Sequence, residues 1–462
     1  MLDSLPIDDV VPGIAAAVRE HGAVVVHAPP GAGKTTRVPP ALLDGVDGRI
    51  LVREPRRVAA RAAARRSAAE RGWTLGREVG YEGRLERVHG PGTRIVVLTE
   101  GILARMIASD PLLPGVGAVV LDEFHERSIH ADLALAMAWK VRGLLRPDLE
   151  IAVMSATFDP SAVASYLGGC PVVESEGRVH PVEIRHVPPE PGVPLERAVA
   201  EAVADSLGCT GGDVLVFLPG MREIREAAEA LGRKAPARGV EVLPLHGDLP
   251  REAQDRALDA GGRRKVVLAT NVAETSITIP GVTAVVDSGL ARVLRFDEGS
   301  GLDRLEVERI SLASADQRAG RAGRTGPGIC TRLWAAAETG HMRPEIDPEI
   351  RRVDLAAPVL TLLAWGEDPH SFAWFDPPEP AAVDRAFGLL EMLGAIEGRL
   401  LSPRGRAMAG LPVHPRLGRM ILEAQREGAL REVLVIAAGL SIQDPRERPL
   451  ARRDTAAAAH RR

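Results

Sequence analysis

The chain has 462 residues, 45% of them hydrophobic and 26% charged, and a formal net charge of -4. This length predicts two to four domains, and the composition is that of a globular protein with several cores. The charge excludes a basic coat for nucleic acid, so any nucleic-acid site must be a local groove of Arg and Lys; only four lysines occur, and the predominance of arginine need not mean function. Cys170, Cys209 and Cys330 stand far apart, with neither metal-ligand spacing nor a disulfide framework, which points to a reducing compartment. The start, MLDSLPIDDVVPG, has no charged-then-apolar signal pattern, and no apolar run is long enough to span a bilayer. A cytoplasmic protein with no membrane partner is expected.

In chain order, the first apolar runs are Ala23 to Ala28, Arg49 to Val52, Arg94 to Thr99, Ala118 to Leu121 and Ile151 to Met154. They are rich in Val and Ile and do not alternate with polar residues, the mark of strands buried on both faces of a parallel sheet. Ala- and Arg-rich stretches such as Val58 to Arg71 lie between them and favour helix. The pattern restarts at Val214 to Leu218, Val240 to Leu245, Val266 to Thr270 and Thr283 to Asp287. Two α/β domains in tandem follow, joined in the proline-dense stretch Val173 to Pro194. Leu290 to Ile310 reads as a long hairpin around Asp297-Glu-Gly-Ser-Gly301. From about Arg343 the chain turns helical: Val353 to Trp365, Pro380 to Leu393 and Leu417 to Leu440, with a turn and short strand at Gly394 to Ser402. The expected boundaries are 1–172, 173–342, 343–412 and 413–462.

Three segments carry chemistry. Ala28-Pro-Pro-Gly31-Ala32-Gly33-Lys34-Thr35-Thr36 follows a strand and opens a helix. Its small residues let backbone N–H groups face phosphates at a helix N-terminus; Lys34 can reach the terminal phosphates and Thr35 can hold Mg²⁺. Asp122-Glu123 ends a buried strand, where the ligand crevice of such sheets lies. Asp122 would bind Mg²⁺, with Glu123 beside it to polarise water, although acids also favour helix starts. Gln317-Arg318-Ala-Gly-Arg321-Ala-Gly-Arg324 places three arginines between small residues, suited to a phosphate or to a solvated basic helix. Ser155-Ala-Thr157 alone reads as a helix cap as readily as a functional motif.

LDEFHERS, SAT, TNVAETSITIPGV and QRAGRAGR, in this order, resemble the DEAH-box/RHA helicases of superfamily two, over nearly the whole chain. The likeness is to the bacterial HrpB and HrpA groups, with APPGAGKTT, DEFH and LHGDLP on the HrpB side and Leu440 to Pro449 on the HrpA side. The resemblance implies an α/β fold of two tandem RecA-like P-loop NTPase domains, then a winged-helix module and the start of a helical bundle. The family's remaining bundle and oligonucleotide-binding barrel have no counterpart here, which puts processive unwinding in doubt but not hydrolysis.

The resemblance also implies roles. Gly31, Ala32, Gly33, Lys34, Thr35 and Thr36 would bind ATP, with Mg²⁺ on Thr35, Asp122 and Glu123. Glu123, His125, Gln317, Arg321 and Arg324 would act in hydrolysis, and His125 would link to Gln317 across the cleft. Ser155 and Thr157 would couple hydrolysis to movement. Phe124 replaces the family's Ala and should alter packing there. Arg66 would contact the base, opposite an aromatic position that is Leu290 here, so other NTPs should also serve. The strand track would use Arg56, Arg57, Thr99, Glu100, Thr270, Asn271, Thr275 and Ser276, whose donors suit phosphates and read no bases. The hairpin would act as a wedge. The expected activity is ATP-dependent, 3′-to-5′ RNA helicase or translocase action on single-stranded RNA. A DNA-directed motor and an ATP-gated RNA clamp stand as alternatives.

Overall fold

Valine and isoleucine crowd at χ1 and pack well on pleated surfaces, and the runs rich in them form the centres of two sheets. The computed structural model describes residues 4–441 apart from 84–85, 158, 178–179, 234–238, 260, 276 and 300. The first sheet contains β1 (Ala23–His27), β2 (Arg49–Arg53), β3 (Val79–Gly83), β4 (Glu86–Val88), β5 (Ile95–Leu98), β6 (Val116–Leu121), β7 (Glu150–Ser155) and β8 (Val172–Glu174). Their spatial order is β4-β3-β5-β2-β6-β7-β1-β8, and only the β3–β4 pair is antiparallel. Val24, Val26, Val52, Val120 and Met154 meet in one buried core on this sheet. Because β6, β7 and β1 are parallel neighbours, the segments that follow them emerge side by side at one edge. Those segments are DEFH, SAT and the glycine-rich loop.

The second sheet contains β9 (Val182–His186), β10 (Asp213–Phe217), β11 (Glu241–Leu245), β12 (Lys265–Ala269) and β13 (Val282–Asp287). After β13 come β14 (Leu290–Asp297) and β15 (Leu302–Arg309), and then β16 (Gly328–Arg332) returns to the sheet. The order is β11-β12-β10-β13-β16-β9, all parallel. The proline-dense join does more than connect: it supplies β8 to the first sheet and β9 to the second. Strands β14 and β15 pair antiparallel from Leu290 opposite Arg309 to Asp297 opposite Leu302, the long hairpin the sequence predicts.

Arg318 is one of the three arginines read as phosphate-facing, but it points into the second domain. Its guanidinium is fully buried, pairs with Asp287 at 2.9 Å and with Glu274 at 2.8 Å, and lies over the Phe217 ring. Removing one partner of a buried pair leaves a charge uncompensated. Asp287→Ala is therefore expected to cost about 3 kcal/mol of stability, read as a lower denaturant midpoint. A negligible loss would mean that Glu274 alone satisfies Arg318.

The chain divides into two compact units, the first running to Val353 and also including Ala373–Pro377, the second taking the rest from Asp354. The second unit has helices Ala356–Trp365, Pro380–Met392 and Pro403–Ala409 around a short hairpin of Ile396–Glu397 with Leu400–Leu401. The single helix expected over Leu417 to Leu440 is two, Pro415–Glu427 and Leu430–Ser441. Gly428 ends the first in the left-handed region, φ 73°, with its N–H on the Ala424 carbonyl. Among the described residues, no helix is long and apolar enough to cross a membrane.

Candidate active site and nucleic-acid groove

The loop after β1 turns at Gly31 and Gly33, both at positive φ (86° and 99°). A Cβ on Gly33 would lie 2.7 Å from the Leu5 side chain, so the loop is seated directly on the N-terminal segment. Helix Lys34–Leu42 starts there. Lys34 is buried, and its ammonium donates to the carbonyls of Ala28 at 2.5 Å and Pro29 at 3.2 Å. Burial lowers its pKa, while the charges of Glu123 and Asp122 oppose the shift. Thr35 Oγ1 donates to Asp122 Oδ2 at 2.5 Å. The Asp122 carboxyl is pushed up to about 7, by burial first and by Glu123 second. Thr36, also buried, follows within the helix.

Glu123 sits at φ 49°, in the left-handed region that a non-glycine residue rarely adopts. Such backbone outliers concentrate at functional sites, and this one turns the chain sharply out of β6. His125 is nearly buried, and burial lowers its pKa despite the nearby Glu123. Its Nδ1 accepts the Ala156 N–H at 3.3 Å, so a neutral ring must carry its proton on Nε2. That nitrogen lies 3.4 Å from Glu123 Oε2. Phe124 is fully buried and meets the Phe375 ring edge-on, centroids 5.5 Å apart.

Ser155, Ala156 and Thr157 touch three different parts of the site. The Ser155 carbonyl accepts the Ala28 N–H at the start of the glycine-rich loop, 3.1 Å away. Ala156 donates to His125, and Thr157 Oγ1 accepts from Gln317 Nε2 of the second domain at 3.2 Å. The expected link between His125 and Gln317 is thus an indirect one. The two are joined through the backbone of Ala156 and Thr157, because His125 Nδ1 is already taken and the Thr157 hydroxyl meets the amide first.

Arg321 is buried toward this edge, and Arg324 is half-buried there. Arg321 donates through Nε to the Glu274 carbonyl at 2.8 Å, and its other nitrogens reach the carbonyls of Glu274 and Ile277. Arg324 donates to Thr278 Oγ1 at 2.8 Å, and a Cβ built on Gly31 would stand 3.7 Å from its Nε. Burial lowers the pKa of both guanidiniums. For Arg321 the charge of Arg324 adds to this, and Arg324 falls to about 10, with Glu123 opposing and Arg66 adding. Arg66 itself is half-exposed and bonds Glu70 at 2.8 Å. Leu290 is half-buried at the start of β14, its carbonyl accepting from Arg318 at 3.2 Å. Three cations, the buried Lys34 and Arg321 and the half-buried Arg324, are thus held near the loop in their less favourable state. A polyphosphate would relieve their mutual repulsion, and the Thr35 hydroxyl with the Asp122 carboxylate offers the oxygen ligands a hard divalent cation takes.

Between the two sheet domains lies a cavity of about 530 Å³. Arg56, Arg57, Glu100, Thr270, Asn271 and Thr275 line it, as do His125, Thr157 and Gln317. Thr99 does not: it is buried behind the wall, its N–H on the Glu82 carbonyl at 3.0 Å. Glu100 faces the cavity, but its carboxylate is engaged by Arg53. Ser276 lies outside the described residues. Four lining acids, Glu126, Glu274, Glu345 and Glu349, were missed by sequence reasoning. Glu126 takes bonds from Arg56 and Thr275, and Glu274 takes Ser314 and Arg318 through its side chain. Glu126 lies within LDEFHERS and Glu274 within TNVAETS, so the signal was present, but an acid is not a residue type expected to face phosphates.

The fold and the site define a tandem pair of P-loop domains of the helicase type. The DEAD/DEAH box helicase family matches residues 12–165, the helicase conserved C-terminal domain matches 199–326, and the ratchet-like helicase associated domain (HA2) matches 414–462. The chain is 45% identical over 444 residues to the ATP-dependent RNA helicase HrpB of Escherichia coli, covering 95% of this chain and 54% of that protein. It is 38% identical to the mouse ATP-dependent RNA helicase DHX33, covering 98% of this chain and 68% of the relative. The crystal structure of the Escherichia coli DEAH/RHA helicase HrpB superposes with a TM-score of 0.91 at 43% identity, over 98% of this chain and 59% of that one. The chain belongs to the DEAD/DEAH box helicase family. It spans about half the length of HrpB.

Proposed function

We propose that this chain is the motor part of an ATP-dependent RNA helicase, coupling hydrolysis between its two sheet domains to 3′-to-5′ movement along single-stranded RNA. ATP would bind against Gly31 to Thr36, with Arg66 beside the base and Arg321 and Arg324 facing the γ-phosphate. Thr35 and Asp122 would hold Mg²⁺, which supplies charge neutralisation on the phosphates. Glu123 would take the proton of the attacking water, with neutral His125 beside it keeping its carboxylate oriented. The strand would run past Arg56, Arg57, Thr270, Asn271 and Thr275, with the β14–β15 hairpin as a wedge. A winged-helix module and the opening of a helical bundle would follow the motor, from 343 and 413 onward.

One observation carries this reading. Ser155 to Thr157 touches the phosphate loop through Ala28 and the arginine segment through Gln317. Any loosening of Gln317 when phosphate leaves is felt at the wall of the groove, which both Thr157 and Gln317 line. A duplex with a 3′ single-stranded RNA overhang tests it. The expected result is ATP-dependent strand separation from the 3′ overhang and none from a 5′ overhang. Separation of DNA with equal efficiency would favour a DNA-directed motor, and nucleotide-dependent binding without separation would favour an ATP-gated clamp.

A further inference from the structure

We propose that Glu126 holds the place of a strand phosphate in the groove and thereby sets how tightly the chain binds a single strand. This rests on reading the groove as a single-strand site. Glu126 lines the cavity between the domains. One carboxylate oxygen accepts from the Arg56 guanidinium at 3.2 Å, and the other accepts the Thr275 hydroxyl. Arg56 belongs to the first domain and Thr275 to the second, so one acid joins both walls. A guanidinium and a hydroxyl converging on one anion are the donors a phosphate oxygen takes, and carboxylate and phosphate accept from such a pair in the same geometry.

An acid on the wall of an anion groove needs a reason, since it repels the strand. Burial on its own would lower the Arg56 pKa, yet the guanidinium is held above its ordinary value by Glu126 and Glu274. Without a strand, Glu126 keeps a desolvated cation neutralised. With a strand, the phosphate must displace the carboxylate or lie beside it, and either costs affinity. Glu126 is only 17% exposed, so solvent screens that repulsion weakly. The bond also closes the groove, since Arg56 donates in addition to the Asn271 carbonyl across the cleft. Strand entry and release of the Glu126 bridge are then one event.

The test is fluorescence anisotropy of a fluorescein-labelled uridine dodecamer, without nucleotide, against the wild-type chain, Glu126→Gln, Arg56→Gln and the double variant. Glutamine keeps the size and the acceptor and removes the charge. Glu126→Gln is expected to bind about tenfold tighter, and the gain is expected to vanish in the double variant, because the competition is for Arg56. Glu126→Asp, with its charge kept and its reach shortened, should give a smaller gain and guards against misfolding of the glutamine variant. If wild type binds and neither variant gains, or both bind more weakly, Glu126 is a brace between domains and the proposal is overturned. If the wild-type chain itself does not bind the dodecamer, the strand reading of the groove fails and this proposal falls with it.

Discussion

Glu123→Gln is expected to lower the rate of ATP hydrolysis by about a thousandfold while leaving the KM for ATP within a few-fold. The carboxylate stands at the carboxyl end of β6, on a residue forced to φ 49°, with His125 Nε2 at 3.4 Å. Glutamine preserves the shape but cannot take a proton. Nucleotide binding should survive, because Glu123 raises the pKa of Asp122, its charge coming second only to burial. Losing that charge lets Asp122 ionise more readily and favours a divalent cation. A split between rate and KM is therefore the signature, measured by steady-state hydrolysis at saturating strand. A variant as fast as wild type would remove Glu123 from the chemistry.

Arg324→Ala is the second large effect, with an expected fall of about a thousandfold in the rate at saturating ATP. Arg324 sits over the glycine-rich loop close to Gly31, yet is tied to the second domain through Thr278. A cation delivered this way stabilises charge only when the domains are together. Arg324→Lys should not restore the rate, because an ammonium lacks the fork that can hold Thr278 and a phosphate oxygen at once. Arg321→Ala should behave differently. Its guanidinium already serves the carbonyls of Glu274 and Ile277, so its loss should also weaken strand stimulation by freeing the segment that carries Thr275. Steady-state hydrolysis with a titration of single-stranded RNA separates the two. Full activity in Arg324→Ala would mean that this arginine does not reach the nucleotide.

The parts of the site that lie within one strand and its loop were legible in the sequence. Ala28 to Thr36 announces a turn between strand and helix, and Asp122-Glu123 at the end of an unbroken apolar run announces the edge of a parallel sheet. Partners brought together only by folding were not. Thr157 and Gln317 are 160 positions apart, and nothing local says that Thr157 rather than His125 receives the amide. Arg318 looks like its neighbours Arg321 and Arg324, yet its place on helix Leu312–Gly320 turns it inward onto Asp287. Thr99 carries the right chemistry for a phosphate but follows directly on β5 and is buried. The join at Val173 to Pro194 hides two strands because proline density masks short runs such as Val182–His186, on an edge strand whose exposed residues give no apolar signal. Gly428 inside an otherwise periodic stretch marks a helix end that periodicity alone runs through.

On the proposed function, the nucleotide cleft and the groove act as one device within this chain. ATP hydrolysis measured with and without single-stranded RNA, with Glu123→Gln as the control, tests it most directly. A slow rate alone, a severalfold or greater rise with RNA, and neither in the variant are expected. A rate that is the same with and without RNA, in a chain that binds both, would contradict it.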